Sequence, residues 1–220
     1  GESGHYSHLA AAFLTARGIS QGLKLKESPS LKYLYYLTQI GISISPMSNH
    51  MQQCTYDRNP FNNYFVRGLN VSLSSDEPLE FHRTQEPLIE EYAMAQQMWK
   101  YEDIDLVEIC RNSINQSGYV EEKKKTLLGG NVRDKRTIYR QRAIETEHNI
   151  LNALVNNNDN GLFQEIPFTQ IDINFRTRDT KEIDVMKKLT YWMNVREKYF
   201  QQSPTDDEPT EERMFYAMAN

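Results

Sequence analysis

Apolar and polar residues alternate in three short stretches of this chain. The stretches cover residues 18–22, 40–45 and 69–75. In the third, Leu69, Val71 and Leu73 fall on one side of the backbone. A period of two predicts β-strands. The third stretch then runs directly into two carboxylates, Asp76 and Glu77, and a proline ends it.

Apolar residues at helical spacing occupy the segments around these strands. The predicted helices cover residues 5–17, 31–39, 59–67, 86–101, 103–115 and 184–200. Ser28 before Pro29 is a helix start signal. In the helix over 86–101, the residues predicted to be buried are Leu88, Ala93, Ala95 and Trp99.

Strands therefore alternate with helices over the first 120 residues. This order is typical of parallel βαβ units and predicts the α/β class. In such folds the functional residues follow the carboxyl ends of the strands, which directs attention to the polar residues after each predicted strand. After residue 120 the pattern changes: 121–165 is rich in charge and asparagine, 171–175 alternates like an edge strand, and 203–212 is an acidic linker.

Composition and charge exclude several classes of protein. The net charge is −5, whereas a nucleic-acid-binding domain is expected to be basic. No apolar run reaches the roughly 20 residues of a membrane-spanning helix, and no signal peptide precedes the first helix. Cys54 and Cys110 are far apart and are predicted to be thiols in a reducing compartment. We therefore predict a cytoplasmic protein. The first residue is Gly1, so either an initiator Met was removed or the chain begins inside a longer protein.

A series of motifs follows in a fixed order along the first 120 residues. They are GESG at 1–4, GISQG at 18–22, YLYYL at 33–37, SPMSN at 45–49, RNP at 58–60, SLSSDEPL at 72–79, EPLIEEY at 86–92 and RNS at 111–113. In combination they resemble the AMP deaminases, a branch of the zinc amidohydrolases. The resemblance is dense over 1–120 and weak over 166–176.

The resemblance implies a (β/α)₈ barrel with one catalytic zinc. The implied reaction is hydrolytic deamination of AMP to IMP and ammonia. Zinc lowers the pKa of a bound water and supplies hydroxide. In the family a glutamate protonates the purine ring, a histidine and the zinc-bound aspartate orient the hydroxide, and a second aspartate holds the purine.

Several of these roles map onto residues of this chain. By resemblance, Glu2 is the proton-donating glutamate and Asp76 is the zinc-binding aspartate. Ser45 and Asn49 fall in the loop beside the substrate pocket. Each of these positions is a candidate inherited from an active site.

Other positions depart from the family pattern. Gln21 stands where the family has its catalytic histidine, and an amide has no basic lone pair at neutral pH. Glu77 stands where the family has the second aspartate, so its carboxylate is one methylene further out. Glu80 replaces a glutamine and adds negative charge near a site for an anionic nucleotide. All three substitutions are expected to weaken substrate binding or catalysis.

The zinc site is the largest departure. The resemblance implies three histidine ligands that have no counterpart in this chain, so Asp76 is the only family ligand position present. Zinc sites usually have three or four protein ligands. The five histidines do not have ligand spacing; they are His5, His8, His50, His82 and His148. Zinc is the cofactor implied by resemblance, but this chain alone is not expected to bind it.

The resemblance also divides the chain. Residues 1–120 correspond to the last three β/α units of the barrel, followed by an insertion at 121–165, a family-like strand at 166–182, and a helix with an acidic tail at 183–220. A helical C-terminal extension thus follows the partial barrel. Three parallel strands leave an unpaired edge and an uncovered apolar face. We therefore expect either a longer polypeptide or a protein partner.

Three functions follow from these observations. The first is a degenerate deaminase-like chain that serves as a structural or interaction subunit of a large intracellular assembly. The second is the C-terminal portion of a working AMP deaminase, which requires that Gln21 be tolerated. The third is a regulator that binds a purine nucleotide without hydrolysing it. AMP is a ligand only in the last two cases, and neither nucleic acid nor membrane is an expected partner.

Overall fold

A computed structural model describes residues 4–52, 54–129, 141–149 and 182–202. The predicted edge strand at 171–175, the acidic linker at 203–212 and Glu2 lie outside the described residues. The strands are β1 (Gly18–Ser20), β2 (Gly41–Ile44) and β3 (Val71–Leu73). A 3₁₀ turn, Leu23–Glu27, follows β1.

Ten α-helices surround these strands in the described part of the chain. In order they are α1 (Ser7–Thr15), α2 (Pro29–Thr38), α3 (Pro46–Met51), α4 (Phe61–Val66), α5 (Pro78–Phe81), α6 (Pro87–Trp99), α7 (Asp103–Gln116), α8 (Glu121–Leu127), α9 (residues 141–149) and α10 (Glu182–Gln202). None of the helices described is long and apolar enough to cross a membrane.

The three strands form one parallel sheet in the order β1-β2-β3. Ile19 pairs with Ile42, and Ile42 pairs with Val71. The prediction of parallel βαβ units over residues 18–75 is confirmed, although each strand is shorter than its alternating stretch. Helix α2 begins directly after Ser28, as the start signal predicts. The Ser28 side chain caps the helix by accepting a hydrogen bond from the Leu31 N–H at 3.4 Å.

The two faces of the sheet differ in side-chain size. Ile42, Ile44 and Val71 are fully buried and belong to the main core. The core contains aromatic and aliphatic residues of α1, α2 and α4, among them Phe13, Leu34, Tyr35, Phe61 and Tyr64.

The opposite face carries only small residues along the strands. They are Gly18, Ser20, Gly41, Ser43 and Ser72, and Gly18 and Ser20 are exposed. The expectation of an uncovered apolar face is therefore wrong: the apolar side chains all lie on the helix-covered side, and the more open side of the sheet is lined by glycine and serine.

Helix α10 packs against α1 and α2, which end at Thr15 and Thr38, far before it in the sequence. Leu189 and Trp192 are buried in the core. The Arg196 guanidinium donates to the Phe13 carbonyl in the last turn of α1 and stacks on the Phe13 and Phe200 rings. An arginine at this position satisfies a carbonyl that the helix end leaves without an intrahelical partner. The C-terminal helix is thus part of the fold of the N-terminal segment.

Helix α9 packs on the outside of α2 through polar contacts. The Tyr33 hydroxyl donates to Glu147 at 2.5 Å, and the Tyr36 hydroxyl donates to the other carboxylate oxygen at 3.4 Å. Burial and the adjacent carboxylate raise the pKa of Tyr33. Tyr33 and Tyr36 are half-buried and pack against the core, and their hydroxyls serve as polar anchors for α9.

Candidate functional site

The carboxyl ends of the three strands bring four candidate residues together. Gln21 follows β1, Ser45 follows β2, and Asp76 lies three residues after β3. Asn49 reaches the same place from α3, which begins directly after Ser45. Because parallel strands end at the same edge of a sheet, these residues converge although up to 55 positions separate them.

Gln21 lies at the centre of this group and is only 4% exposed. Its Nε2 donates to Asp76 Oδ2 at 3.1 Å. Its Oε1 accepts from the Ser45 backbone N–H at 3.2 Å and from Asn49 Nδ2 at 3.0 Å. Both ends of the amide are therefore engaged, and its partners come from the ends of β2 and β3.

The backbone at Gln21 is in the left-handed region, with φ 67°. Its N–H donates to the Ser43 carbonyl at 2.6 Å, so the residue extends the β1–β2 pairing by one position before the chain turns. For a residue other than glycine this conformation is unfavourable and persists when surrounding contacts determine it. At Gln21 those contacts are the hydrogen bonds of its side chain.

A second tier of amides supports the first. Asn59 Nδ2 donates to Asn49 Oδ1 at 3.1 Å, and Asn59 Oδ1 accepts from the Phe61 N–H at the start of α4. The Ser45 and Ser74 hydroxyls are 2.9 Å apart. Asn49 and Asn59 are both buried. The side chain of Asn49 is thus fixed from both of its ends.

Glu77 and Glu80 lie at the rim of the site and are both exposed. Glu77 precedes α5 with φ 46° and accepts from Gln52 Nε2 at 3.4 Å. Glu80 is in the first turn of α5. Neither residue joins the network around Gln21. Of the predicted site residues, the structure assembles Gln21, Ser45, Asn49 and Asp76, places Glu77 and Glu80 beside them, and does not describe Glu2.

Glu91 is a charged residue of the site region that the sequence interpretation missed. Its carboxylate is fully buried, accepts from the Met47 N–H in the first turn of α3 at 3.1 Å, and is 3.1 Å from His82 Nε2. Burial raises the pKa of Glu91 to about 7, and the nearby Glu90 and Asp76 carboxylates act in the same direction. Glu91 therefore links α6 to the helix that carries Asn49.

A sequence signal for Glu91 did exist. It precedes Ala95 by one helical turn, so the two residues share the buried face of α6. A glutamate on the apolar face of a helix indicates a specific buried partner. The predicted burial of Leu88 and Ala93 is wrong, because both are exposed, whereas that of Ala95 is confirmed.

The described residues do not by themselves fit a zinc site. No group of three or more His, Cys, Asp or Glu side chains that could hold a metal occurs in the described part of the chain. Asp76 Oδ2 accepts a hydrogen bond from an amide. His82 is paired with Glu91, whose carboxylate also holds the first turn of α3. Any zinc at Asp76 requires ligands from outside these residues.

Comparison with known proteins decides the family. The sequence profile of the family described as AMP deaminase matches residues 1–171, more than three quarters of the chain. This chain belongs to the AMP deaminase family.

Curated AMP deaminases from distant organisms agree with this assignment. The AMP deaminase of Dictyostelium discoideum is 45% identical over 190 residues, which cover 80% of this chain and 23% of that protein. The enzyme of Saccharomyces cerevisiae is 46% identical over 171 residues, covering 71% and 21%. The enzyme of Arabidopsis thaliana is 53% identical over 129 residues, covering 59% and 15%. This AMP deaminase family member thus spans less than a quarter of the length of these relatives.

A solved structure supports the fold. The crystal structure of an adenine deaminase from Arthrobacter aurescens superposes with a TM-score of 0.54 at 22% identity, covering 59% of this chain and 40% of that one. At this identity the likeness concerns the fold alone. It is consistent with a fragment of a TIM-type barrel for the helix-rich α/β arrangement of this AMP deaminase relative.

Proposed function

We propose that this chain is a catalytically degenerate member of the AMP deaminase family that acts as a structural or interaction subunit of a larger intracellular assembly. The observation that carries the proposal is the state of Gln21. Its amide stands at the position of the family's catalytic histidine and is committed at both ends to Asp76, Ser45 and Asn49.

The chemistry of an amide supports this proposal. A glutamine can donate and accept hydrogen bonds but cannot take up and release a proton at neutral pH. Losing a general acid–base group typically lowers the rate by about 10²–10⁴. In addition, Gln21 Nε2 occupies a lone pair of Asp76, the one family zinc-ligand position of this chain. Metal binding at Asp76 would have to displace this hydrogen bond.

The change at position 77 acts in the same direction. Glu77 carries its carboxylate one methylene further from the backbone than the family's aspartate, and its side chain lies at the exposed rim. A displacement of about 1 Å in a positioning group can cost about 10²-fold in rate. Because two positions of one site are altered, loss of catalysis is favoured over a working site that tolerates the substitution at position 21.

The architecture supports a role within a larger unit. We propose that β1, β2 and β3 with their helices correspond to the last three β/α units of a (β/α)₈ barrel. The partner is then the remaining part of that barrel, in the same polypeptide or in another chain. The missing zinc ligands and the residues that would contact the AMP phosphate belong to that part. α10 is a helical extension on the outer helices.

Activity of the native full-length polypeptide tests the proposal. The protein is purified with zinc present, its zinc is measured by mass spectrometry, and ammonia release from AMP is followed. We expect no turnover above the uncatalysed rate. Turnover that falls on Glu2→Gln would overturn the proposal. Gln97→His, at an exposed position of α6, is the control for the variant Gln21→His, because it introduces a histidine away from the site.

A working AMP deaminase is the second candidate, favoured by the 45–53% identity to the relatives above. In that case Gln21→His should change the rate little, because Gln21 is then already functional. If Gln21→His together with Glu77→Asp raises AMP deamination by about 10² or more, the native chain is degenerate and the barrel around it is intact.

A further inference from the structure

The EPLIEEY motif (residues 86–92) places two glutamates side by side near the start of α6. Successive residues of an α-helix point about 100° apart. Glu90 and Glu91 therefore reach different neighbours from one helix. Glu91 reaches α3, and Glu90 reaches the chain that follows α5.

Glu91 holds the start of α3. Its Oε2 accepts from the Met47 N–H at 3.1 Å, and its Oε1 is 3.1 Å from His82 Nε2. The first N–H groups of a helix have no intrahelical partner, and Ser45, the residue before α3, makes no side-chain cap. The side chains of Glu91 and His82 are both fully buried. A carboxylate from another helix thus replaces the local cap of the helix that carries Asn49.

Glu90 holds the α5 segment, which comprises residues 78–84. Its Oε1 accepts from the Thr84 N–H at 2.6 Å and from the Thr84 hydroxyl at 2.5 Å, and both of its oxygens accept from the Arg83 N–H, at 3.1 and 3.2 Å. The Thr84 hydroxyl lowers the pKa of Glu90, as expected for a carboxylate that accepts several hydrogen bonds. One carboxylate therefore fixes two consecutive backbone amides after α5.

The two held segments meet at the rim of the site. α3 carries Asn49, whose amide donates to Gln21. The α5 segment begins directly after Glu77. Gln52, which follows α3, donates to Glu77 at 3.4 Å, and both side chains are exposed. A hydrogen bond of this length is weak, so the contact at the rim does not by itself fix the two segments.

We infer that Glu90 and Glu91 are positioning residues, which together form a clamp on α6 that holds α3 and the α5 segment in place around the site. Glu91 acts on the network through Asn49, and Glu90 acts on the rim through the chain that follows Glu77. The hydrogen bonds of the clamp involve no strand backbone, so the clamp is compatible with a closed barrel. The inference goes beyond the proposed function, because it holds whether or not the site deaminates AMP.

Hydrogen exchange of the native full-length polypeptide, measured by mass spectrometry on its peptides, tests the Glu91 arm. Glu91→Ala should speed amide exchange in α3 by about tenfold, because the first turn loses a hydrogen bond. Exchange of the Gln21 N–H should also rise, since Asn49 is no longer held in place. Glu91→Gln should keep wild-type exchange, because its amide still accepts from Met47 and donates to His82.

The Glu90 arm has a matched control in the same helix. Glu90→Ala should speed exchange of the Arg83 and Thr84 amides by about tenfold and leave α3 unchanged. Glu86→Ala removes the same charge from the same end of α6, where a carboxylate also interacts with the helix dipole. Glu86 is exposed and makes no side-chain cap, so this variant should match wild type in both segments.

Four results would overturn the clamp. They are wild-type exchange of α3 in Glu91→Ala, a rise in α3 without a rise at Gln21, equal exchange of Glu91→Gln and Glu91→Ala, and equal exchange of Glu86→Ala and Glu90→Ala. The third result would mean that the acceptor geometry of Glu91 is irrelevant, and the fourth that only the charge at the helix end matters.

If Glu91→Ala does not fold, Glu90→Ala and Glu91→Gln decide. Faster exchange confined to the α5 segment in the first variant, with wild-type exchange in the second, supports the clamp. Unchanged exchange in Glu90→Ala, or an increase spread evenly over the chain, contradicts it. AMP turnover enters none of these measurements, so a failure of the clamp is distinguishable from a failure of the proposed function.

Discussion

At the scale of single residues, Gln21 has the properties of a structural core residue. It is buried, it adopts an unfavourable backbone conformation, and each polar atom of its amide is bonded to a different element. These features follow from the need to satisfy every polar group in a buried network. The residue therefore stabilises the strand ends, independently of any role in a reaction.

Gln21→Ala should lower the free energy of unfolding by about 1–3 kcal/mol, because it leaves the Asn49 amide and the Ser45 N–H without their acceptor. Urea denaturation followed by circular dichroism measures the change. Gln97→Ala, on the exposed face of α6, should stay within about 0.5 kcal/mol of wild type. Equal stabilities of the two variants would contradict the structural role of Gln21.

Glu91 predicts a pH dependence of stability. Its pKa is about 7 in the folded protein against a reference of 4.5, and the first cause is burial. The folded state therefore binds more protons than the unfolded state between these values, and stability should fall as the pH rises from 4.5 to 7. The difference between the two pKa values corresponds to about 3 kcal/mol.

Glu91→Gln should remove this contribution, so the wild-type chain should lose stability relative to the variant as the pH rises from 4.5 to 7. Urea denaturation at several pH values measures the difference. Glu90→Gln is the control: burial is the first cause of the raised pKa of Glu91 and the Glu90 carboxylate a lesser one, so this variant should keep most of the fall. If the difference in free energy of unfolding between wild type and Glu91→Gln does not change with pH, the pH dependence does not come from Glu91.

At the scale of elements, the sequence predicts best what local pattern determines. The strand positions, the start of α2 at Ser28 and the burial of Val71 follow from period, capping and β-branched residues. Helix α3 is not among the predicted helices, because a proline after a strand is typical of a strand end and is equally favoured in a first helical turn. The hydrogen bonds among Gln21, Asn49 and Asn59 were beyond prediction, since they join a strand end, a helix and a loop that are distant in the sequence.

The packing of α10 on α1 was also beyond prediction, because periodicity shows that a helix is amphipathic but not what it packs against. Arg196→Ala should lower stability by about 1–3 kcal/mol, since the Phe13 carbonyl loses a charged donor and two rings lose a stacked guanidinium. Thermal unfolding measures the change. Lys198→Ala, exposed on the same helix, is the control. Equal melting temperatures of the two variants would contradict the role of Arg196 in holding α10 on α1.

At the scale of the whole molecule, the contacts of α10 tie the C-terminal helix to the first helix of the chain. The two tryptophans lie in different parts of the structure: Trp99 stacks on Phe61, and Trp192 is a residue of α10 that is buried in the core. Because α10 shares the core with α1 and α2, the described elements should unfold as one cooperative unit.

Trp99→Phe leaves Trp192 as the sole fluorescent tryptophan. In urea, the fluorescence transition of this variant should coincide with the loss of helical circular dichroism. A fluorescence change at clearly lower urea concentration would mean that α10 separates before the sheet unfolds.

The left-handed backbone at Glu77 also bears on which mutations the chain tolerates. Glutamate gains nothing from this conformation, whereas asparagine and glycine adopt it more readily. Under selection for stability alone, random mutation should therefore enrich asparagine and glycine at position 77. In a saturation library of position 77 sorted for folded protein, those two residues should therefore outnumber aspartate. A library of position 21 sorted in the same way should retain glutamine, because the Gln21 side chain joins the end of β1 to the ends of β2 and β3. The two left-handed residues of the site would then differ in tolerance: the exposed position 77 accepts the residues that suit its backbone, and the buried position 21 keeps its glutamine.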